Sequence, residues 1–307
     1  MHRTPCKKSS TLNEITGKQV FLKMENLQKT GSFKIRGAMN KVSQLTDREC
    51  ERGLIAASAG NHAQGVAYAG KVRNVPVTIF MPIGTPVAKV NATKGHGATV
   101  KLVGQNFDET YVAAREEQLR TGANFIHPFD DLAVIEGQAT VAMEMLQQRP
   151  EIDTIVVPAG GGGLLAGTLL AVKSIRPDIR VIGVQSQNAA AIAIAYKGMS
   201  GGFIPFQGKT IAEGINVKTP GKLTMNIIHS HVDDMVTVTE QEIASAILFM
   251  LEREKSLIEG AAAVAAVLNQ HIPSPTSNIG IIVSGGNFDI SKLAECQQMS
   301  IQVPLAK

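Results

Sequence analysis

Four consecutive glycines, Gly160, Gly161, Gly162 and Gly163, followed by Leu164, carry the strongest chemical signal in this chain of 307 residues. They follow an apolar run at 155–157 and lead into a helical pattern, so they sit where a strand hands over to a helix. Glycine tolerates the backbone conformations that let successive N–H groups converge, and a helix N-terminus adds a positive dipole end. A phosphate cup is the expected result, since a tight turn needing glycine for packing alone would not require four. Gly161, Gly163 and Ala166 satisfy the G-x-G-x-x-A dinucleotide pattern, but the next strand ends in Gln185, where a nicotinamide dinucleotide wants a carboxylate for its ribose. No Gly-Lys-Ser/Thr follows the glycines, so an ATP P-loop fails too.

The second feature is Lys34 in the segment NLQKTGSFKIRGA at 26–38, where Thr30 or Ser32 is expected to cap a helix with Lys34 in its first turn. A cation there opposes the helix dipole, which lowers the cost of the neutral amine and suits a nucleophile toward a carbonyl; the alternative is an ordinary solvated lysine. The third is ASAGNH at 57–62, where Ser58, Gly60 and Asn61 at a strand-to-helix turn offer a second anion site, plausibly for a carboxylate, or else a simple cap. His62 reads as a structural histidine, because no orienting carboxylate is evident. The fourth is VSGGN at 283–287, where Ser284 at a strand end is either a ligand's hydrogen-bond partner or a turn residue. No Ser-His-Asp arrangement is legible.

The elements that must position these groups alternate along the chain. Short β-branched runs at 20–24, 54–57, 77–81, 99–103, 155–157, 181–184, 235–238 and 279–283 predict strands. Patterns at 62–72, 108–120, 135–148, 164–174, 240–253 and 260–270 predict helices, with Thr239 capping the fifth. The alternation implies an α/β fold with mainly parallel sheets, whose ligands lie at the carboxyl ends of the strands. Three βα units from 54 to 120, ended by the HPFDD turn, suggest a small mobile domain at 53–131 and a larger, discontinuous one at 1–52 and 132–307. The Gly- and Pro-rich stretch 198–221 reads as a long loop, a lid or a mere excursion.

Composition excludes several classes. The 44% hydrophobic content is ample for a core, and the net charge of +4 is spread without a basic block, so nucleic acid is not an expected partner. With no Trp and only 4% aromatics there is little for base stacking. Cys6, Cys50 and Cys296 lack disulfide or zinc spacing, and the longest apolar runs, such as 261–268, fall far short of the ~20 residues of a membrane span. A cytoplasmic protein is expected.

The segments RTPCKKS, FLKMENLQKTGSFKIRGA, SAGNHAQGVA, PAGGGGLLAG and VSGGN, in that order from about Arg3 to Asp289, closely resemble the serine/threonine dehydratases among the fold-type II pyridoxal 5′-phosphate (PLP) enzymes. The resemblance implies the tryptophan synthase β-like fold of two open α/β domains. By likeness, Lys34 would be joined to the PLP aldehyde and serve as base for the α-proton, with Phe33 against the ring. Gly160, Gly161, Gly162, Gly163 and Leu164 would hold the phosphate, Asn61 the ring hydroxyl, and Ser284 the pyridine nitrogen. Ser58, Ala59, Gly60, Asn61 and His62 would hold the substrate carboxylate. The implied reaction is β-elimination with deamination, giving 2-oxobutanoate from L-threonine and pyruvate from L-serine.

Departures refine the expectation. Similar serine racemases carry Ser where this chain has Ala59, which has no proton to give, and carboxylate cation ligands where it has Gln185 and Ala191, so weak racemisation and no metal are expected. The chain ends soon after VSGGNFDI, which suggests the short, catabolic type without isoleucine feedback. Family likeness implies a homodimer or homotetramer. The rival readings are a serine racemase or hydroxyaspartate dehydratase and, from other classes, an NAD-dependent dehydrogenase or a noncatalytic PLP-binding sensor.

Overall fold

A computed structural model describes residues 1–198, 208–273 and 275–300. Ten strands form two sheets: β1 (Cys6–Lys8), β2 (Gln19–Met24), β3 (Leu54–Ala57), β4 (Val77–Met81), β5 (Thr99–Leu102), β6 (Asn124–Phe125), β7 (Thr154–Pro158), β8 (Arg180–Ser186), β9 (Asp234–Val238) and β10 (Asn278–Val283). The larger sheet has the order β1-β2-β10-β7-β8-β9 and the smaller β5-β4-β3-β6. Every pairing is parallel except β1 with β2.

Both orders reverse at one place. The chain steps outward from β7 through β8 to β9, then returns on the other side of β7 as β10. In the smaller sheet it steps from β3 through β4 to β5, and returns beside β3 as β6. Loops leaving two adjacent strands in opposite directions open a crevice at their carboxyl ends. The tetraglycine follows β7 and Ser284 follows β10; the 58–62 turn follows β3 and the HPFDD turn follows β6.

The strands expected at eight places are present, with bounds shifted by three residues at most. The two unanticipated ones, β1 and β6, are three and two residues long, too short for a periodic signal, and are defined by pairing with β2 and β3. All six expected helices are present with their bounds kept to within three residues, the last at Ala262–Leu268. Thr239 caps its helix in a reciprocal capping box with Glu242. The long loop expected at 198–221 lies partly outside the described residues; from 208 onward it holds a short 3-10 turn, Glu213–Ile215.

One expectation about the Lys34 helix fails. Lys34 does open the helix Lys34–Ser43, but the residue before it is Phe33, in helical conformation and without a side-chain cap. Thr30 Oγ1 and Ser32 Oγ are buried with no partner among the described residues. The helix is instead entered from a tertiary anchor: Ser32 forms an antiparallel bridge with Gly285, and the Phe33 N–H donates to the Ser284 carbonyl at 3.1 Å. A long-range strand end thus does what a local cap was expected to do.

The same helix is clamped on its other side. Arg36 lies between the Glu25 and Glu144 carboxylates with nitrogen–oxygen distances of 2.8 Å, and Lys23 reaches Glu144 at 2.7 Å. Glu25 and Arg36 are wholly buried, so each needs the other's charge. Glycine permits the close crossing with the helix Leu132–Gln148: a Cβ on Gly137 would stand 2.5 Å from the Arg36 carbonyl oxygen. Lys34 therefore projects from a backbone fixed by ion pairs below and a helix crossing alongside.

Candidate active site

The residues expected to hold cofactor and substrate line one cavity of about 580 Å³: Phe33, Lys34, Ser58, Ala59, Gly60, Asn61, His62, Gly160, Gly161, Gly162, Gly163, Leu164 and Ser284. The cavity lies where the carboxyl ends of the two sheets face each other.

The Lys34 amine donates to the Pro128 carbonyl at 2.8 Å and stands 5.3 Å from the centre of the Phe33 ring. Burial pulls its pKa down to about 8, against the opposing charge of Glu259. A substantial neutral fraction near physiological pH follows, as a nucleophile or base requires. Lys34 is the first helical residue, as the dipole argument expected, but desolvation is what lowers its proton affinity.

At the tetraglycine, no protein acceptor meets the N–H groups of Gly161, Gly162, Gly163 or Leu164 among the described residues. Gly162 has φ +95°, a left-handed conformation that glycine adopts without strain. A Cβ on Gly161 would overlap the Phe129 ring, and one on Gly163 would stand 2.9 Å from the Phe129 Cβ. Convergent N–H donors, absent side chains and a helix N-terminus fit a phosphate, and the neighbouring lysine fits an aldehyde, so the chemistry of the residues suits PLP.

His62 is buried, its Nε2 donates to the Ile126 carbonyl at 2.8 Å, and burial first, then the Lys34 charge, lowers its pKa to about 3. It is a neutral imidazole whose Nδ1 has no partner among the described residues. Ser58 Oγ accepts from the Gly60 N–H at 3.2 Å, and neither Ser58 nor Asn61 caps the helix Asn61–Arg73, whose cap residue is Gly60.

Gln185 is buried behind the cup, where its amide donates to the Ala159 carbonyl at 3.0 Å and accepts from the Ala193 N–H at 2.9 Å. No group of three or more His, Cys, Asp or Glu suited to a metal occurs among the described residues.

The HPFDD turn, expected only as a domain boundary, is a wall of the site. His127 Nδ1 accepts from the N–H groups of Phe129 and Asp130 at 3.3 and 2.8 Å, and burial lowers its pKa to about 4. The turn held this way supplies the Pro128 carbonyl to Lys34 and the Phe129 ring to the tetraglycine. Asp130 accepts from the N–H groups of Lys222 and Thr224 at 3.0 and 3.1 Å, and Thr224 Oγ1 donates to the Gly161 carbonyl at 2.8 Å. Glu259, which no motif pointed to, and Asn287, named only as the end of VSGGN without a role, also line the cavity. The only sequence signal for Glu259 was a lone acid in an apolar stretch.

Residues 1–285 match the family model described as "Pyridoxal-phosphate dependent enzyme". An L-threonine ammonia-lyase of Thermotoga maritima is 49% identical over 296 residues, 95% of this chain and 73% of that one. The processed form of threonine deaminase isoform 2 from Solanum lycopersicum superposes with a TM-score of 0.92 at 35% identity, covering 97% of this chain and 88% of that one. Maize serine racemase does so with a TM-score of 0.90 at 37% identity, covering 97% and 92%. With a cavity whose lysine, glycine cup and strand-end hydroxyl meet as the motifs implied, and with the match spanning nearly its whole length, this chain belongs to the pyridoxal-phosphate dependent enzymes.

Proposed function

We propose that the protein is a threonine ammonia-lyase that converts L-threonine to 2-oxobutanoate and ammonia, and L-serine to pyruvate and ammonia. The observation that carries this reading is the Lys34 amine, with its lowered proton affinity, sharing one cavity with the unpaired N–H groups of the tetraglycine. The name of the Thermotoga relative supports threonine as substrate. Serine differs by one methyl, worth only ~1–3 kcal/mol in a pocket.

When bound, PLP supplies an electron sink conjugated to the α-carbon of an amino acid. Lys34 would hold the aldehyde and would take the α-proton at Nζ, with the Pro128 carbonyl within reach to orient that amine. The N–H groups of Gly160 to Leu164 would hold the phosphate, Phe33 would flank the ring, Asn61 would bind the ring hydroxyl and Ser284 the pyridine nitrogen. A hydroxyl at that nitrogen keeps the ring a mild sink, which favours loss of a β-substituent over a long-lived carbanion. The turn from Ser58 to His62 holds the substrate carboxylate through N–H groups and neutral side chains. The small domain, 53–131, closes over the bound substrate and excludes water. Residues 1–52 and 132–307 form the large domain. We place the protein in the cytoplasm as a homodimer or homotetramer; no helix among the described residues is long and apolar enough to cross a membrane.

The likeness to maize serine racemase makes racemisation the rival reading. Ala59 carries no proton to return to the α-carbon, which favours elimination. The test is to load the purified protein with PLP, add L-threonine or L-serine, and measure 2-oxo acid, ammonia and D-serine. Ammonia with stoichiometric 2-oxo acid supports the lyase. D-serine as main product, or a loaded protein without turnover, would replace it with a racemase or a sensor.

A further inference from the structure

The Asn61 side chain is held at both ends. Its Oδ1 accepts from Asn287 Nδ2 at 2.7 Å, and its Nδ2 donates to Glu259 Oε1. Asn287 Nδ2 uses its other hydrogen on the Thr30 carbonyl at 2.8 Å, so this amide cannot turn over without setting its oxygen against two acceptors. The Asn287 backbone N–H meets the Glu259 carboxyl, and the Glu259 N–H donates to the Gly285 carbonyl at 3.0 Å. Burial raises the Glu259 pKa, while the Asn61 amide pulls it down.

Three residues thus close a ring, the last link through the Asn287 backbone N–H, with Asn61 following the smaller sheet's β3 and the other two belonging to the larger sheet's side of the cavity. Space for the ring is made by glycine. A Cβ on Gly285 would overlap Glu259 Oε1, and one on Gly31 would stand 2.5 Å from Asn287 Oδ1. In this arrangement one Asn61 Nδ2 hydrogen goes to Glu259, and the second has no protein acceptor among the described residues. An inverted Asn61 amide would bring N–H against N–H at Asn287 and oxygen against oxygen at Glu259.

We propose that Glu259 and Asn287 are positioning residues that lock the Asn61 amide, so that the cofactor's ring oxygen always meets its N–H and never its carbonyl oxygen. The inference rests on Asn61 meeting that oxygen, as proposed above. An N–H donor favours the ionised ring oxygen, whereas an amide oxygen would favour the protonated one. The orientation of one amide therefore sets the charge state of the ring, and the two residues behind it set the orientation.

The experiment compares PLP-loaded wild type, Asn61→Ala, Glu259→Gln and Asn287→Ala. The visible band, the pH at which it titrates, and kcat and KM for L-threonine are recorded on samples matched by circular dichroism and cofactor content. Glu259→Gln and Asn287→Ala should each move the band toward that of Asn61→Ala. Each should also lower kcat by about tenfold, the size of one net hydrogen bond, with KM much less affected. An unmoved band in Asn61→Ala means that the underlying contact is absent. A moved band in Asn61→Ala, with wild-type bands in properly folded Glu259→Gln and Asn287→Ala, overturns the inference alone.

Discussion

The lowered proton affinity of Lys34 makes a quantitative prediction about how the protein captures its cofactor. At pH 7.5 a lysine at the ordinary 10.5 is neutral about once in a thousand, whereas one at about 8 is neutral in a sizeable fraction, a gain of roughly two orders of magnitude. The sign follows from the cause: burial disfavours the ammonium form, so the proton leaves earlier as pH rises. The rate of PLP capture by the cofactor-free protein should climb through pH 8 and level off above about pH 9. Stopped-flow absorbance across pH 6.5 to 10.5, with Lys34→Ala as the blank, measures it. Glu259 is the charge that opposes burial, so Glu259→Gln should move the midpoint lower. A capture rate that keeps rising about tenfold per pH unit from pH 8 to pH 9.5 would refute the reasoning, because the amine would then be titrating near its ordinary 10.5, as in water.

The glycine cup and the frame behind it give three further expectations. Gly161→Ala drives a methyl into the Phe129 ring, and overpacking of that kind costs ~1–3 kcal/mol, read as a weaker PLP dissociation constant; unchanged affinity would remove Phe129 as a wall. Thr224→Val deletes the bond to the Gly161 carbonyl and should weaken PLP binding by ~1 kcal/mol with little change in the KM for threonine. Arg36→Met leaves Glu25 buried without its partner and should lower unfolding stability by ~3–5 kcal/mol in urea titration, far more than an exposed ion pair would.

The chemistry of this chain was legible wherever residue type and chain-local geometry coincide. Four glycines after a β-branched run, a lysine at a helix start and a serine at a strand end need no tertiary information to be recognised as ligand-facing groups. The strands that carry them were legible for the same reason, because each is apolar on both faces and ends at a turn residue. Other parts were not legible because their cause lies far along the chain. The Lys34 helix takes its entry from Ser284, 250 residues later, so the expected Thr30 or Ser32 cap had no need to form. The HPFDD turn and Glu259 have no periodic or motif signal, Asn287 closes the VSGGN segment without a role of its own legible there, and all three join the site only when two sheets reverse at adjacent strands and turn those strand ends toward each other. Sequence alone therefore determined which groups could do chemistry, since that depends on side-chain type and the backbone next to it. Only the tertiary structure decided their protonation and orientation, since desolvation and hydrogen-bond partners are properties of the space that distant segments enclose.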